Sequence, residues 1–323
     1  MTANLLRHVP RVDNLFEFFD CYNVSCTTFQ TYQSGLRNFS LWLNEHNLSD
    51  DLPIPVATLR AWLEDQTMKG LSHSTIMNRR WAVWWLHNVN GYQNGKNPVY
   101  ADDLRTISKQ VKRVRAGQGC SNKPVQKQPI RVTELKKLVR LCANDLEGKR
   151  DKCLLYLGFC AALRRSELAQ LKVEDIRIQS DQARAIITVT RAKTDQGATG
   201  RSLLIEKGTK RHCPIQALKE WLDAAEIKNG PVFRRVYKTV VTDVGINGRT
   251  VANRIKHYCK KAGLPESQFA GHSLRRGMMI SAIDKKQSLH DIKTHARHHN
   301  VAMTEHYIGD AALQSSPTKG IFS

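Results

Sequence analysis

Residues 152–168 read KCLLYLGFCAALRRSEL, an almost wholly apolar run from Lys152 to Ala162 that leads straight into two arginines, a serine and a glutamate. A helix that is apolar all round is a buried one, so the run predicts a helix inside a core with a charged segment following it. The uncharged stretch, Cys153 to Leu163, is far below the ~20 apolar residues that span a bilayer. No transmembrane helix is expected.

Working outward, the segment before this run predicts a helix through Leu135, Leu138 and Val139, capped by Thr133 with Glu134 at its positive end. After it, AIITVT (185–190) is β-branched and short, and SLLIE (202–206) is its expected partner in one hairpin, across a loop holding Gly197 and Gly200. Pro214 suits the first turn of a helix through Leu218, Trp221 and Leu222, and Thr250 the cap of another through Val251, Ile255 and Tyr258. Helices dominate from there to Tyr307. Upstream, RAGQGCSNKPVQKQP (115–129) has the composition of an inter-domain linker.

The chain of 323 residues thus reads as two domains, 1–127 and 128–323. The first is expected to be helical, with Phe16, Phe19, Phe29, Tyr32, Leu36, Phe39, Leu41 and Leu43 at helical spacings and a longer helix over Ser74 to Val89. In that helix Met77, Trp81, Trp84 and Trp85 can share an apolar stripe, with Arg79 and Arg80 pointing elsewhere. The whole is mainly α, with a small β-hairpin or sheet in the second domain.

Lys and Arg number 50 against 29 Asp and Glu, a formal charge of +21. The first domain carries 15 basic and 10 acidic residues (+5), the second 35 and 19 (+16). With 41% hydrophobic residues the chain has packed cores, so the charge sits on folded surface and implies a polyanionic partner. Candidate phosphate contacts in the first domain are Arg79 and Arg80, and Lys112 and Arg113 in the stretch KQVKRVR (109–115). The start, MTANLLRHVPRVDN, has Arg7, His8 and Pro10 where a signal peptide would be apolar, which points to a cytoplasmic, nucleoid-associated protein. The eight cysteines form no C-x-x-C pair and read as reduced.

The residues that carry chemistry are LRRSEL (163–168), GHSLR (271–275), His298 and Tyr307. Guanidinium forks match the non-bridging oxygens of a phosphodiester, where charge accumulates in a five-coordinate transition state; Arg164 and Arg275 fit that role. The Tyr307 phenol, with an ordinary pKa near ~10, needs an acceptor such as His272 and a positive field to become a nucleophile. His298 is a further phosphate or leaving-group contact. His290, His295, His298, His299 and His306 invite a metal reading, but no carboxylate or cysteine pattern completes it. No metal is expected.

R-x-S-E-L, H-x-x-R and H-x8-Y, in this order behind a helical amino-terminal domain, resemble the tyrosine site-specific recombinases of the phage integrase family, and within it the Cre type most closely. The resemblance covers nearly the whole chain. It implies that Arg164 and Arg275 bind the scissile phosphate, that His272 and His298 assist, and that Tyr307 attacks to form a 3′-phosphotyrosyl link. TRAKT (190–194) resembles the hairpin that carries the catalytic lysine, which makes Lys193 the general acid to the 5′-oxygen. Glu167 matches an acidic position that orients the active-site groups without touching DNA. His298 follows the wider family, since the Cre type has tryptophan there, and Ala296-Arg297 departs from the usual Leu-Gly.

The resemblance further implies a two-domain clamp, 1–127 binding the core site and 128–323 catalytic, on duplex DNA with inverted-repeat sites. Four copies would assemble in the synaptic complex, Ile321 and Phe322 could dock on a neighbour, and no cofactor or ATP is needed. The rivals are an integrase or telomere resolvase with the same site, a catalytically silent DNA-binding or architectural protein, and a metal-dependent nuclease.

Overall fold

A computed structural model describes residues 3–10, 25–93, 95–119, 126–179, 181, 183–189 and 200–298. The chain divides into two compact units, Met1–Val125 and Gln126–Ser323.

The described part of the first unit is helical: α1 (Cys26–Glu45), α2 (Val56–Met68), α3 (His73–Val89), α4 (Asp102–Arg105) and α5 (Ile107–Gly117). Ser25 and Ser72 start α1 and α3, their hydroxyls accepting from the amides of Thr28 and Thr75, the ordinary N-cap bond. Phe39 of α1 stacks on Trp62 of α2 at 4.1 Å, and Phe29 meets Trp85 of α3 edge-on. Gly35 makes the crossing close, since a Cβ there would lie 3.2 Å from that of Ala82. The expected tryptophan stripe is only partly the buried face. Ile76, Ala82, Val83, Trp85 and Leu86 are buried, whereas Trp81 is 39% exposed. Buried His87 donates from Nδ1 to the Val83 carbonyl and accepts the Ile54 amide at Nε2, which fixes one neutral tautomer; burial lowers its pKa accordingly.

The expected linker, 115–129, is shorter in the structure. Arg115 is buried in the last turn of α5, where its guanidinium donates to the carbonyls of Gly70 and Leu71. At the other end, Gln128 and Ile130 donate their amides to Gln268 and Ser273 within the second unit. Hydrogen bonds at both ends, from a guanidinium at one and from backbone amides at the other, shorten the connection, and composition does not reveal them.

The second unit comprises α6 (Val132–Arg140), α7 (Leu146–Cys160), α8 (Arg165–Gln170), α9 (Pro214–Ala224), α10 (Gly248–Lys261), α11 (Ser273–Asp284) and α12 (Leu289–Ala296). Strands β1 (Ile176–Ile178), β2 (Arg184–Val189) and β3 (Arg201–Glu206) form one antiparallel sheet, and β4 (Arg234–Tyr237) and β5 (Val240–Gly245) a second. The expected hairpin is β2–β3, registered from Arg184 against Glu206 to Val189 against Arg201. The other three strands were not expected. Two caps also differ: the backbone amide of Arg131, not Thr133, opens α6 by donating to Glu134, and Asn247, not Thr250, caps α10.

α7 is buried from Cys153 to Phe159, and its core neighbours come from every helix from α6 to α11. Gly158 permits the tightest approach, because a Cβ there would lie 2.7 Å from Leu274 and 3.1 Å from Leu168. α11 and α8, which carry these leucines, are thereby drawn against the end of α7. One turn into α7 lies a buried ionic cluster. Asp151, fully buried, accepts from Arg150 and Arg254 and from the Tyr258 hydroxyl. Removing one partner of such a cluster leaves uncompensated buried charge, at a typical cost of about 3–5 kcal/mol. Asp151→Ala should destabilise the second unit by that amount in urea unfolding; a change below about 1 kcal/mol would show the cluster to be energetically idle.

Candidate active site

The site is built where α7 ends. Its last carbonyls lack intrahelical partners and carry the negative end of the helix dipole. Ala162 follows in a left-handed conformation (φ 45°) and turns the chain so that Arg164 precedes α8. Three cationic or donor side chains collect on these carbonyls. His295 Nε2 donates to Cys160 at 2.7 Å, Arg297 Nη1 to Ala161 at 3.2 Å, and Ala162 accepts from Arg297 Nη2 at 3.1 Å and Arg275 Nη1 at 2.8 Å. Arg275 Nη2 also donates to the Ala296 carbonyl, so α11 and α12 meet on this one turn.

Glu167 stands in the first turn of α8 and performs two tasks there. Its Oε2 accepts the Arg164 backbone amide at 2.8 Å, which closes the start of the helix, and its Oε1 accepts from Arg164 Nη1 at 2.5 Å. Oε2 also accepts from Arg297 Nη2 at 2.9 Å. The side chains of Glu167 and Arg297 are 2% and 3% exposed, that of Arg164 18%. Burial alone would raise the Glu167 pKa, but the charge of Arg297 and the bonds from Arg164 outweigh it and hold the carboxyl below its usual range. It is ionised at neutral pH.

His272 occupies the N-cap position of α11, and Arg275 follows within the first turn. Gly271 leaves room for Arg165, whose Cβ would lie 2.7 Å from an added methyl group. His272 is exposed, yet partial desolvation by its neighbours, followed by the charges of Arg275, Arg165 and Arg164, lowers its pKa, with Glu167 opposing. His298 is 3% exposed, and burial with the charges of Arg275, Arg164 and Arg297 drives it down to about 4. Both imidazoles are neutral at pH 7 and can accept a proton or a hydrogen bond.

Five residues expected from the sequence, Arg164, Glu167, His272, Arg275 and His298, therefore share one cluster. Lys193 and Tyr307 lie outside the described residues, as do Ile321 and Phe322. Arg79 and Arg80, in the first unit, are half-buried; Arg79 donates to Gln66 and Arg80 to the Val99 carbonyl. Lys112 and Arg113 are exposed on α5. Of the histidines that invited a metal reading, His295 is bound to a carbonyl, and among the described residues no group of three or more His, Cys, Asp and Glu side chains could share an ion. Sequence reasoning missed Arg297 as a member of the cluster. Its one signal was its departure from the small residue expected before His298.

Residues 128–313 match the phage integrase family. An integrase/recombinase XerD homolog of Selenomonas ruminantium is 32% identical over 87% of this chain and 81% of its own length. The tyrosine recombinase XerC of Vibrio atlanticus is 22% identical over 88% and 83%. Among solved structures, XerH site-specific recombinase bound to a palindromic difH substrate superposes with a TM-score of 0.66 at 17% identity, covering 98% of this chain and 87% of that one. A lambda integrase dimer bound to a core site gives 0.58 at 14% identity, covering 91% and 76%. The structural likenesses speak to the fold, which is the expected mainly helical one. Closeness to the Cre type is a matter these relatives do not address.

A histidine with a folded pKa below its unfolded value near 6.5 contributes stability above that value and loses it as pH falls toward the folded pKa. The free protein should accordingly lose stability between about pH 6.5 and about 4, in part through His298. His298→Gln should flatten that acid limb of the urea midpoint; an unchanged slope would show that the ring is not held neutral.

Proposed function

This chain belongs to the phage integrase family as a tyrosine recombinase that cleaves and rejoins DNA in site-specific recombination, and we propose that it acts through a 3′-phosphotyrosyl intermediate at paired inverted-repeat sites. The observation that carries the reading is the buried carboxylate of Glu167, which holds Arg164 in the same cluster as Arg275 and two neutral imidazoles.

In the proposed step the Tyr307 phenol oxygen attacks the scissile phosphorus and its proton passes to His272. Negative charge on the non-bridging oxygens is met by Arg164 and Arg275, which are presented on rigid helix starts and need little rearrangement as the charge develops. His298, neutral and buried, offers a hydrogen bond without adding charge. The P–O5′ bond breaks as Lys193 gives its proton to the departing oxygen. The phosphodiester is conserved as a tyrosyl ester, so a 5′-hydroxyl from a second duplex reverses the reaction without ATP or metal.

The basic surface supports duplex DNA as the partner, with Lys112 and Arg113 of the first unit as backbone contacts and Arg79 and Arg80 contributing from α3. A homotetramer would bring four such sites to two DNA segments. No helix among the described residues is long and apolar enough to cross a membrane, and the proposed place of action is the nucleoid. Integration, resolution and inversion share this chemistry.

The decisive experiment incubates the protein with fragmented DNA of its own replicon in EDTA, denatures it, and sequences DNA held through a 3′ end. A discrete inverted-repeat site, absent with Tyr307→Phe, is expected. Tight binding with nothing trapped would overturn the catalytic reading in favour of a silent DNA-binding protein, and covalent product from Tyr307→Phe would overturn the nucleophile. Lys193→Ala should cleave poorly on ordinary DNA and recover when the 5′-oxygen is replaced by sulfur, a better leaving group; no recovery would place the general acid elsewhere.

A further inference from the structure

We infer that Arg297 is a positioning residue of the recombination site: it holds Glu167 at the carboxylate oxygen that the Arg164 guanidinium does not use and thereby sets the orientation of that guanidinium. The inference rests on the recombinase reading above and concerns a residue that the expected chemistry does not use.

Arg297 follows α12 in the left-handed region, at φ 56° and ψ 45°. A non-glycine residue is strained there and glycine is not, so chain reversal alone does not account for arginine. The side chain is 3% exposed, and its described hydrogen bonds all end on protein acceptors: Nη1 on the carbonyls of Ala161 and His295, Nη2 on the Ala162 carbonyl and Glu167 Oε2. Among the described bonds Arg297 differs from Arg275, which is equally buried and also donates to backbone carbonyls, in ending on the carboxylate that orients Arg164, and this places it to organise the site.

The consequence follows from how Glu167 is shared. Its Oε2 serves both the Arg297 fork and the Arg164 amide, while its Oε1 holds Arg164 Nη1. Without Arg297 the carboxylate keeps one cationic partner in a buried position, and the Ala161 carbonyl loses a donor that, with His295 on Cys160, anchors α12 to the end of α7. Glu167 is then freer to turn or to take up a proton, and Arg164 loses its fixed aim. Because Arg297 adjoins His298, the same clamp also secures the turn that carries the imidazole.

The test measures single-turnover cleavage on the trapped target site with wild type, Arg297→Gly, Arg297→Lys, Glu167→Gln, and Glu167→Gln combined with Arg297→Gly. Arg297→Gly suits the backbone but removes a buried cation, so thermal stability should fall while the protein stays folded, and cleavage measured well below the melting temperature should fall roughly tenfold to a hundredfold, the usual cost of a misaimed catalytic group. DNA affinity and its salt dependence should stay within about twofold, and the acid limb of the rate profile should move toward neutral pH as Glu167 loses its cation. Arg297→Lys, which keeps the charge but not the fork, should recover part of the rate. In the Glu167→Gln background the glycine substitution should cost less than about twofold more, the signature of two residues acting as one unit.

Equal losses in both backgrounds, an unshifted pH profile, or unchanged cleavage would overturn the inference. So would a matching fall in DNA affinity and salt slope, which would make Arg297 a phosphate contact. If wild-type protein forms no covalent product at all, the recombinase reading fails instead, and the two failures are distinct.

Discussion

One buried carboxylate governs the arrangement of the second unit's chemistry. Guanidiniums about 4 Å apart repel by about 4 kcal/mol at an effective dielectric near 20, and Arg164 and Arg297 converge on the same few ångströms beside Arg275. Glu167 makes that convergence tolerable by accepting from two of the three, and its burial strengthens each attraction. The carboxylate is itself kept ionised only because those cations outweigh its desolvation. Charge and counter-charge are thus mutually dependent, and neither would be stable alone in so dry a place.

The second determinant is the way α7 stops. A helix buried along its length presents its terminal carbonyls to other protein groups and not to bulk water, and they must find donors. Here the donors are His295, Arg297 and Arg275, which come from two elements distant in sequence. Gly158 lets α8 and α11 close on the same end of the helix. A packing requirement of the core and a bonding requirement of the backbone therefore place the same residues together, and the site inherits its rigidity from both.

Much of this was legible in the sequence for physical reasons. The apolar run ahead of Arg164 predicts burial because no face is left for water, and period and turn signals predict the longer helices and the β2–β3 hairpin. Short elements were not legible: β1 and β4 have three and four residues, too few for a period. Caps were misassigned where several polar residues stand in a row and only the backbone decides which one terminates the helix, as with Asn247 and Thr250. Of the cluster, Arg164, Glu167, His272, Arg275 and His298 were picked out by pattern. Arg297 was not, because its place there depends on a partner 130 positions away, and Arg115 was placed in a linker because composition does not report hydrogen bonds to Gly70 and Leu71.

The segment entering the second unit adds a mechanical relation to this electrostatic one. Gln128 and Ile130 are bonded to residues flanking His272, Arg276 donates to the Lys127 carbonyl, and Gly277 has no side chain because the Ile130 carbonyl occupies its place. The incoming chain is a stave of the α11 seam, fastened along the helix that presents Arg275. Tension or slack arriving from upstream is consequently delivered to Gln268, Ser273 and Arg276, on and beside the first turn of the helix that presents Arg275, and a fragment cut after residue 130 would lose the fastening together with the connection.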